Sequence, residues 1–140
     1  MCAVVARDPG YPHDVVYEDE RSIAFLDAYP TLLGATLVAP REHREDVTAD
    51  FSLDEYLELQ RVVYRVGEAM RQAVPTERVY VLSLGSRGAN SHVHWHVAPL
   101  PPGVPFEEQQ LAALAWERGL VDVDDAEQAA LAGRLRALLA

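Results

Sequence analysis

The chain has 140 residues, a formal net charge of −10 and one cysteine, Cys2. This length suits one domain. The absence of Lys- or Arg-rich runs argues against a nucleic-acid partner. A single cysteine excludes an intramolecular disulfide framework. Neither a secretory signal nor an apolar run long enough to span a bilayer is found, so we expect a cytoplasmic protein without membrane contact.

The first half of the chain predicts three short strands followed by a long helix. The strand segments are rich in β-branched or aromatic residues and are separated by turn formers; they read DVVYED, SIAFLDAY and GATLVAP, between residues 14 and 40. The helix is predicted within 51–75, because Ser52 and Glu55 form a capping-box pair, apolar residues then recur at three- and four-residue steps, and Pro75 marks the end.

The second half predicts two more strands, RVYVLSLG and SHVHWHVAPL, and then two helical segments over 104–119 and 124–140. Pro105 near the start and Gly119 at the end are typical of helix boundaries. Strands on either side of one helix predict an α+β fold: an antiparallel five-stranded sheet with a long helix between strands and C-terminal helices. We expect a single domain over 1–140, with its core at about 15–100 and a helical extension at 101–140.

Three histidines alternate in the stretch SHVHWHVAPLPPG: His92, His94 and His96. On a strand they share one face, while Val93, Trp95 and Val97 share the other and suit a core. A row of imidazoles can bind a metal, act in acid–base catalysis, or attack phosphorus as a nucleophile. The metal interpretation is the weaker one, since same-face positions on a strand are about 6–7 Å apart per step.

The segment HVHWHVA resembles the signature of the histidine triad (HIT) superfamily of nucleotide hydrolases and transferases. The stretch VVYEDERSIAFLDAYPTLLGATLVAPREH is similar to the N-terminal half of a HIT domain, and the similarity covers about residues 15–99. It implies a HIT-like fold, a small-molecule nucleotide substrate and a homodimer. The implied reaction takes place at the α-phosphate of a nucleoside phosphoramidate or a dinucleoside polyphosphate, through a nucleotidyl-histidine intermediate.

The resemblance also implies roles for single residues. His94 matches the nucleophile, His92 and His96 match the flanking histidines that orient it and contact phosphate, and His43 in PREH matches a fourth histidine beside the triad. Asp27 in AFLD matches the carboxylate that binds the ribose hydroxyls. The base is expected near Phe25 and Ile23, which are equally suited to the core.

Two departures from the family pattern bear on chemistry. In LSLGSRGANSHVH, Ser83 stands where Asn is usual and Gly85 fits the following glycine, but the usual Gln is missing. Ser86, Asn90 or Ser91 is expected as the donor in its place. Arg87 suits a phosphate contact and a solvated loop equally. Some HIT proteins bind structural zinc through an N-terminal C-x-x-C and histidines. Here Val5 stands at the second cysteine position, so neither zinc nor another cofactor is predicted.

The altered loop leaves other functions open. Phosphate could replace water as the acceptor, making the protein a phosphorylase, or the chain could be a non-catalytic nucleotide-binding module. A metal-binding protein using the triad is a third possibility. Phe106 and Trp116 in the extension are expected in the core or a dimer interface.

Overall fold

The computed structural model describes residues 1–88 and 90–140, apart from the side chain of Arg118. Its centre is a sheet of five strands: β1 (Val15–Glu18), β2 (Ser22–Leu26), β3 (Thr36–Pro40), β4 (Arg78–Leu82) and β5 (Trp95–Leu100). The spatial order is β1-β2-β3-β5-β4, and every neighbouring pair is antiparallel. The predicted antiparallel α+β sheet is confirmed.

Three α-helices accompany the sheet: α1 (Cys2–Val5), α2 (Leu53–Ala73) and α3 (Asp125–Leu139). The capping box of α2 is formed as the sequence predicts, with the Ser52 hydroxyl accepting from the Glu55 backbone N–H and the Glu55 carboxylate accepting from that of Ser52. The helix stops before Pro75 because the residue preceding a proline is driven out of the helical region, and Val74 is extended. No helix in the described part of the chain has the length and apolarity to cross a bilayer.

The main core lies between one face of the sheet and helices α2 and α3. It includes Val63, Val66 and Met70 of α2 together with Leu131 and Leu135 of α3. From the sheet side it also takes in the apolar residues on either side of the histidines, Val93, Trp95 and Val97, so the core role predicted for them is confirmed.

The opposite face of the sheet carries His96. The strand register places Phe25 opposite Leu37, Leu37 opposite His96 and His96 opposite Leu82, so these side chains form one row on this face. At one end of the row α1 covers Phe25. Further along β5 the face is covered by residues 104–114. On this face of the sheet, His96 therefore lies between α1 and residues 104–114.

The segment 104–119 differs from its prediction as a helix. It forms short 3-10 turns at Phe106–Glu108, Gln110–Leu114 and Trp116–Arg118, because extended backbone at Gln109 and Ala115 interrupts it twice. Gly119 does end the last turn, with a φ of 109°. Phe106 and Trp116 are exposed, so the expectation that they lie in this chain's core is wrong. Helix α1 was not predicted, since four residues carry no periodicity.

Candidate active site

The segment that carries the histidines only partly belongs to the sheet. His96 lies in β5, whereas His92 and His94 precede it. Both of these rings are buried, with each residue 2% exposed. Burial of an imidazole is unfavourable without hydrogen-bond partners, and both rings find one on the backbone.

The hydrogen bonding of His94 fixes which ring nitrogen is free. Its Nδ1 lies 2.8 Å from the carbonyl oxygen of His92. Because a carbonyl only accepts, Nδ1 carries the hydrogen and Nε2 presents a lone pair. The backbone of the same residue is held as well, since the Ser83 hydroxyl donates to the His94 carbonyl oxygen at 2.7 Å. An unprotonated, fixed imidazole nitrogen is the form that attacks an electrophile.

His96 is the most accessible of the three rings. It packs against His94, with the ring centroids 4.9 Å apart and the ring planes tilted by 58°. Burial lowers the pKa of His96, and the neighbouring His94 lowers it further, while the Asp27 carboxylate opposes the shift. His96 is therefore mainly neutral near pH 7. Asp27 itself follows directly after β2. Its carboxylate accepts from the Tyr29 backbone N–H at 3.0 Å, in the turn that ends β2.

The two residues expected beside the base are buried. Ile23 and Phe25 are 0% and 1% exposed and pack with Val4 and Val5 of α1. His13 meets the Phe25 ring edge-on, with the centroids 5.1 Å apart. Neither Ile23 nor Phe25 therefore presents surface to a ligand in this conformation, because α1 and His13 cover them.

The loop before the histidines forms one wall of a cleft of about 250 Å³ that reaches His92. The six residues predicted from this loop all line it, namely Ser83, Gly85, Ser86, Arg87, Asn90 and Ser91. Glu45 and Asp46, from the loop after β3, line the cleft as well. Hydrogen bonds from His43 and then from Ser91 hold the pKa of Glu45 below its usual range, and the charge of Arg87 adds to this effect. The cleft thus combines hydroxyl, amide and guanidinium donors with two carboxylates.

Glycine is required at position 85 by close packing within the loop. A Cβ atom at this position would lie 2.8 Å from the carbonyl oxygen of Asn90, inside van der Waals contact. The two arms of the loop can therefore approach each other only with glycine here. This gives a structural reason for the glycine that the family pattern predicts.

A second cluster joins α1 to the triad. The Sγ of Cys2 lies 3.2 Å from Nδ1 of His43 and 3.3 Å from Nδ1 of His92. The other nitrogen of each ring meets an acceptor: Nε2 of His92 lies 2.8 Å from the Pro40 carbonyl, and Nε2 of His43 lies 3.1 Å from a Glu45 oxygen. Each Nδ1 therefore turns a lone pair toward the sulfur. The rings of His43 and His92 are T-shaped, 5.1 Å apart.

This cluster has the donor chemistry of a metal site. One thiol and two imidazole nitrogens lie within 4.8 Å of one another, and histidines whose second nitrogen is held by a carboxylate or carbonyl are typical of metal ligands. Val5 supplies no ligand, since it is buried among apolar side chains. Sequence reasoning expected no zinc because of Val5, yet three donors converge without it.

Sequence reasoning did not single out Glu45 or Arg44, which contact this region. Glu45 lies two residues after His43, a spacing that could have indicated a carboxylate partner for its ring. Arg44 accepts a hydrogen bond from the Val93 backbone N–H at its carbonyl oxygen, at 2.7 Å. No sequence signal marks this contact, because it joins residues far apart in the chain through their backbones.

The chain thus combines a five-stranded antiparallel sheet with a histidine segment that leads into the fourth strand in space. Residues 9–102 match the model of the HIT domain family, and the chain belongs to this family. An uncharacterized HIT-like protein of Saccharolobus solfataricus is 33% identical over 103 residues, 71% of either chain.

Two further proteins are similar over more of the chain. Adenosine 5'-monophosphoramidase hnt1 of Schizosaccharomyces pombe is 30% identical over 132 residues, which is 84% of this chain and 92% of the yeast protein. The crystal structure of a zinc-bound histidine triad family protein from Mycobacterium smegmatis is 27% identical. It superposes with a TM-score of 0.74 over 99% of this chain and 90% of that one.

Proposed function

We propose that the chain is a nucleotide hydrolase or nucleotidyltransferase. It acts at the α-phosphate of a nucleoside phosphoramidate or a dinucleoside polyphosphate through a covalent intermediate on His94. The observation that carries the proposal is the hydrogen bond from His94 Nδ1 to the His92 carbonyl, at 2.8 Å. It leaves Nε2 as the nucleophile and holds the ring in that tautomer before substrate arrives. The phosphoramidase activity of the yeast relative supports the substrate class.

The reaction has two displacements. The Nε2 lone pair of His94 attacks the α-phosphorus, and the bond from phosphorus to the leaving nitrogen or oxygen breaks as that atom takes up a proton. A water oxygen then attacks the same phosphorus, loses a proton, and the bond to Nε2 breaks to release the nucleoside monophosphate. Splitting the transfer in this way replaces one difficult step by two easier ones.

Groups around the two displacements have separate tasks. Asn90, Ser91 and Arg87 line the cleft that reaches His92, and they would hold the leaving group and its phosphate oxygens. His96, packed 4.9 Å from the nucleophile, would contact the α-phosphate. Asp27, which perturbs His96 electrostatically, would accept from the ribose hydroxyls.

Cys2, His43 and His92 would hold a zinc ion. Support comes from their convergence within 4.8 Å and from the zinc-bound neighbour of Mycobacterium smegmatis. When bound, zinc would link α1 to the histidine segment through these three ligands. It would also hold the ring of the residue whose carbonyl orients His94. The reaction itself needs no step at this ion.

The test is release of nucleoside monophosphate from an adenosine phosphoramidate, a diadenosine polyphosphate and a nucleotide sugar. Wild-type protein is expected to act on at least one substrate, and His94→Ala on none while still binding AMP by calorimetry. Intact-mass spectrometry after rapid acid-free quenching should show the nucleotidyl adduct on wild type alone. Equal release by wild type and His94→Ala would refute the assignment of the nucleophile.

A non-catalytic nucleotide-binding module is the second candidate, favoured by the burial of His94 at 2% exposure. It predicts AMP binding without release from any of the three substrates. Phosphorolysis is distinguished in the same assay by adding inorganic phosphate, because a phosphate acceptor yields a nucleoside diphosphate in place of the monophosphate.

A homodimer remains part of the proposal. Strand β4 is an edge of the sheet, and its Val81 is exposed at 50%. An unpaired edge with exposed apolar side chains is a natural site for pairing with a second copy. Light scattering coupled to size exclusion should give twice the mass of 15.5 kDa.

A further inference from the structure

The backbone around His94 is held by a loop outside the sheet. Pairing between β3 and β5 ends where Val38 meets Trp95, so the residues before Trp95 have no strand partner there. Instead the Val93 N–H donates to the carbonyl oxygen of Arg44 at 2.7 Å. The position of the His94 ring therefore depends on where the loop of residues 41–51 lies.

The side chain of Arg44 fixes this loop to helix α2. One guanidinium nitrogen, Nη2, donates to Glu55 at 2.6 Å. The other, Nη1, donates to the second oxygen of Glu55 at 3.2 Å and to the Asp50 carbonyl. A two-pronged contact of this kind restricts orientation as well as distance. The guanidinium is well shielded, with 11% of the side chain exposed, and Glu55 is itself held in the capping box of α2.

Through Phe51, the side chain of Arg44 also acts on Trp95, the residue that follows His94. Its guanidinium carbon lies 4.5 Å from the centroid of the Phe51 ring. Phe51 in turn makes an edge contact with Trp95, at a centroid distance of 6.1 Å. Val93 and Trp95, the two chain neighbours of His94, are thus both held by Arg44, one through the backbone and one through Phe51.

We propose that Arg44 is a positioning residue for His94, which keeps the ring in its reactive tautomer and aim by bracing Val93 and Trp95 without touching substrate. The effect on turnover rests on the proposed function, whereas the effect on the ring does not. A displacement of the nucleophile by about 1 Å is enough to cost up to about 100-fold in rate. The contacts of Arg44 are therefore expected to affect the rate more than their own contact energy would suggest.

The experiment compares Arg44→Met with Arg41→Met. Methionine at 44 keeps a long apolar side chain over Phe51 but removes the bonds to Glu55, Asp50 and Glu42. Arg41 is a matched control, because it belongs to the same loop and forms a comparable ion pair with Glu18, at 2.6 Å, yet contacts neither Val93 nor Trp95. Both changes remove one positive charge.

The first measurement is the ¹⁵N spectrum of histidine-labelled protein, which reports the tautomer of each ring without any substrate. Wild type and Arg41→Met are expected to show a single His94 tautomer protonated at Nδ1, and Arg44→Met a mixture. The second measurement is kcat and KM with an adenosine phosphoramidate, well below the melting temperature of every variant. We expect kcat to fall by about 10- to 100-fold in Arg44→Met, with KM changed by less than about threefold.

If Arg44→Met does not fold, Glu55→Gln takes its place in both measurements. Glutamine keeps an acceptor for the Ser52 N–H and loses only the charge toward Arg44, so the same changes should appear at smaller size. A wild-type tautomer and wild-type kcat in whichever of these variants folds would overturn the proposal, as would equal changes in Arg41→Met. If wild type itself turns over no substrate, the proposed function fails, and the ¹⁵N spectra still decide the role of Arg44.

Discussion

Helix α3 packs into the main core, although it lies outside residues 9–102, which match the family model. The substitution Leu135→Ala tests whether this packing stabilises the whole domain. Leu135 is 0% exposed and belongs to the same apolar cluster as Val66 and Met70 of α2. The helix is also attached by polar contacts, since Arg136 donates to the Val15 carbonyl of β1 at 2.8 Å. We expect the substitution to destabilise the entire domain.

The size of the effect follows from the atoms removed. Leucine to alanine deletes three carbon groups worth about 0.8 kcal/mol each, and the unfilled space brings the loss in the free energy of unfolding to about 3 kcal/mol. An unfolding entropy of about 2.1 cal/mol/K per residue, over 140 residues, converts this loss into a melting temperature lower by about 10 °C.

Leu138→Ala is the matched control, because Leu138 lies in the same helix but is 42% exposed. The change in helix propensity is the same for both, so the difference between them isolates burial. We expect Leu138→Ala to cost less than about 1 kcal/mol. Urea unfolding at one protein concentration, followed by circular dichroism, measures both variants. Equal losses, or a separate early transition for α3 alone, would refute the reasoning that α3 shares the core.

Three further predictions follow from single contacts. Gly85→Ala places a Cβ 2.8 Å from the Asn90 carbonyl, whereas for Gly88→Ala the nearest atom among the described residues is Ser86 Oγ at 3.9 Å. We therefore expect kcat/KM for an adenosine phosphoramidate to fall about tenfold in the first and to hold in the second. Hydrogen bonds from Arg44 lower the pKa of Glu55 from 4.5 to about 2. Because the pKa is lower in the folded state, the ionised carboxylate stabilises the wild type relative to Glu55→Gln. In urea titrations this difference in the free energy of unfolding should be complete above pH 4.5 and vanish as pH falls toward 2. Co²⁺ added to metal-free protein should give a thiolate charge-transfer absorption that Cys2→Ser abolishes, and an identical spectrum from the two proteins would exclude sulfur as a ligand.

Local patterns in the sequence were enough to predict the strands, the long helix and the division of the histidine segment into two sides. The capping box of Ser52 and Glu55 and the stop before Pro75 depend on neighbours within a few residues, and strand alternation placed Val93, Trp95 and Val97 in the core. The 3-10 turns at 104–119 were mistaken for a helix, because a helix-like composition does not record the extended residues Gln109 and Ala115 that interrupt it.

The sequence by itself determined the fold class, the family and the four histidines that the structure brings together. Only the tertiary structure decided how His94 is held, that Cys2 meets His43 and His92, and that Arg44 braces the segment between Val93 and Trp95. The physical reason is range, because periodicity and turn chemistry act between near neighbours. The contacts of Cys2 with both histidines, of Arg44 with Val93 and of Phe51 with Trp95 join residues 41 to 90 positions apart. They exist only after the sheet, α1 and the loop after β3 have packed together.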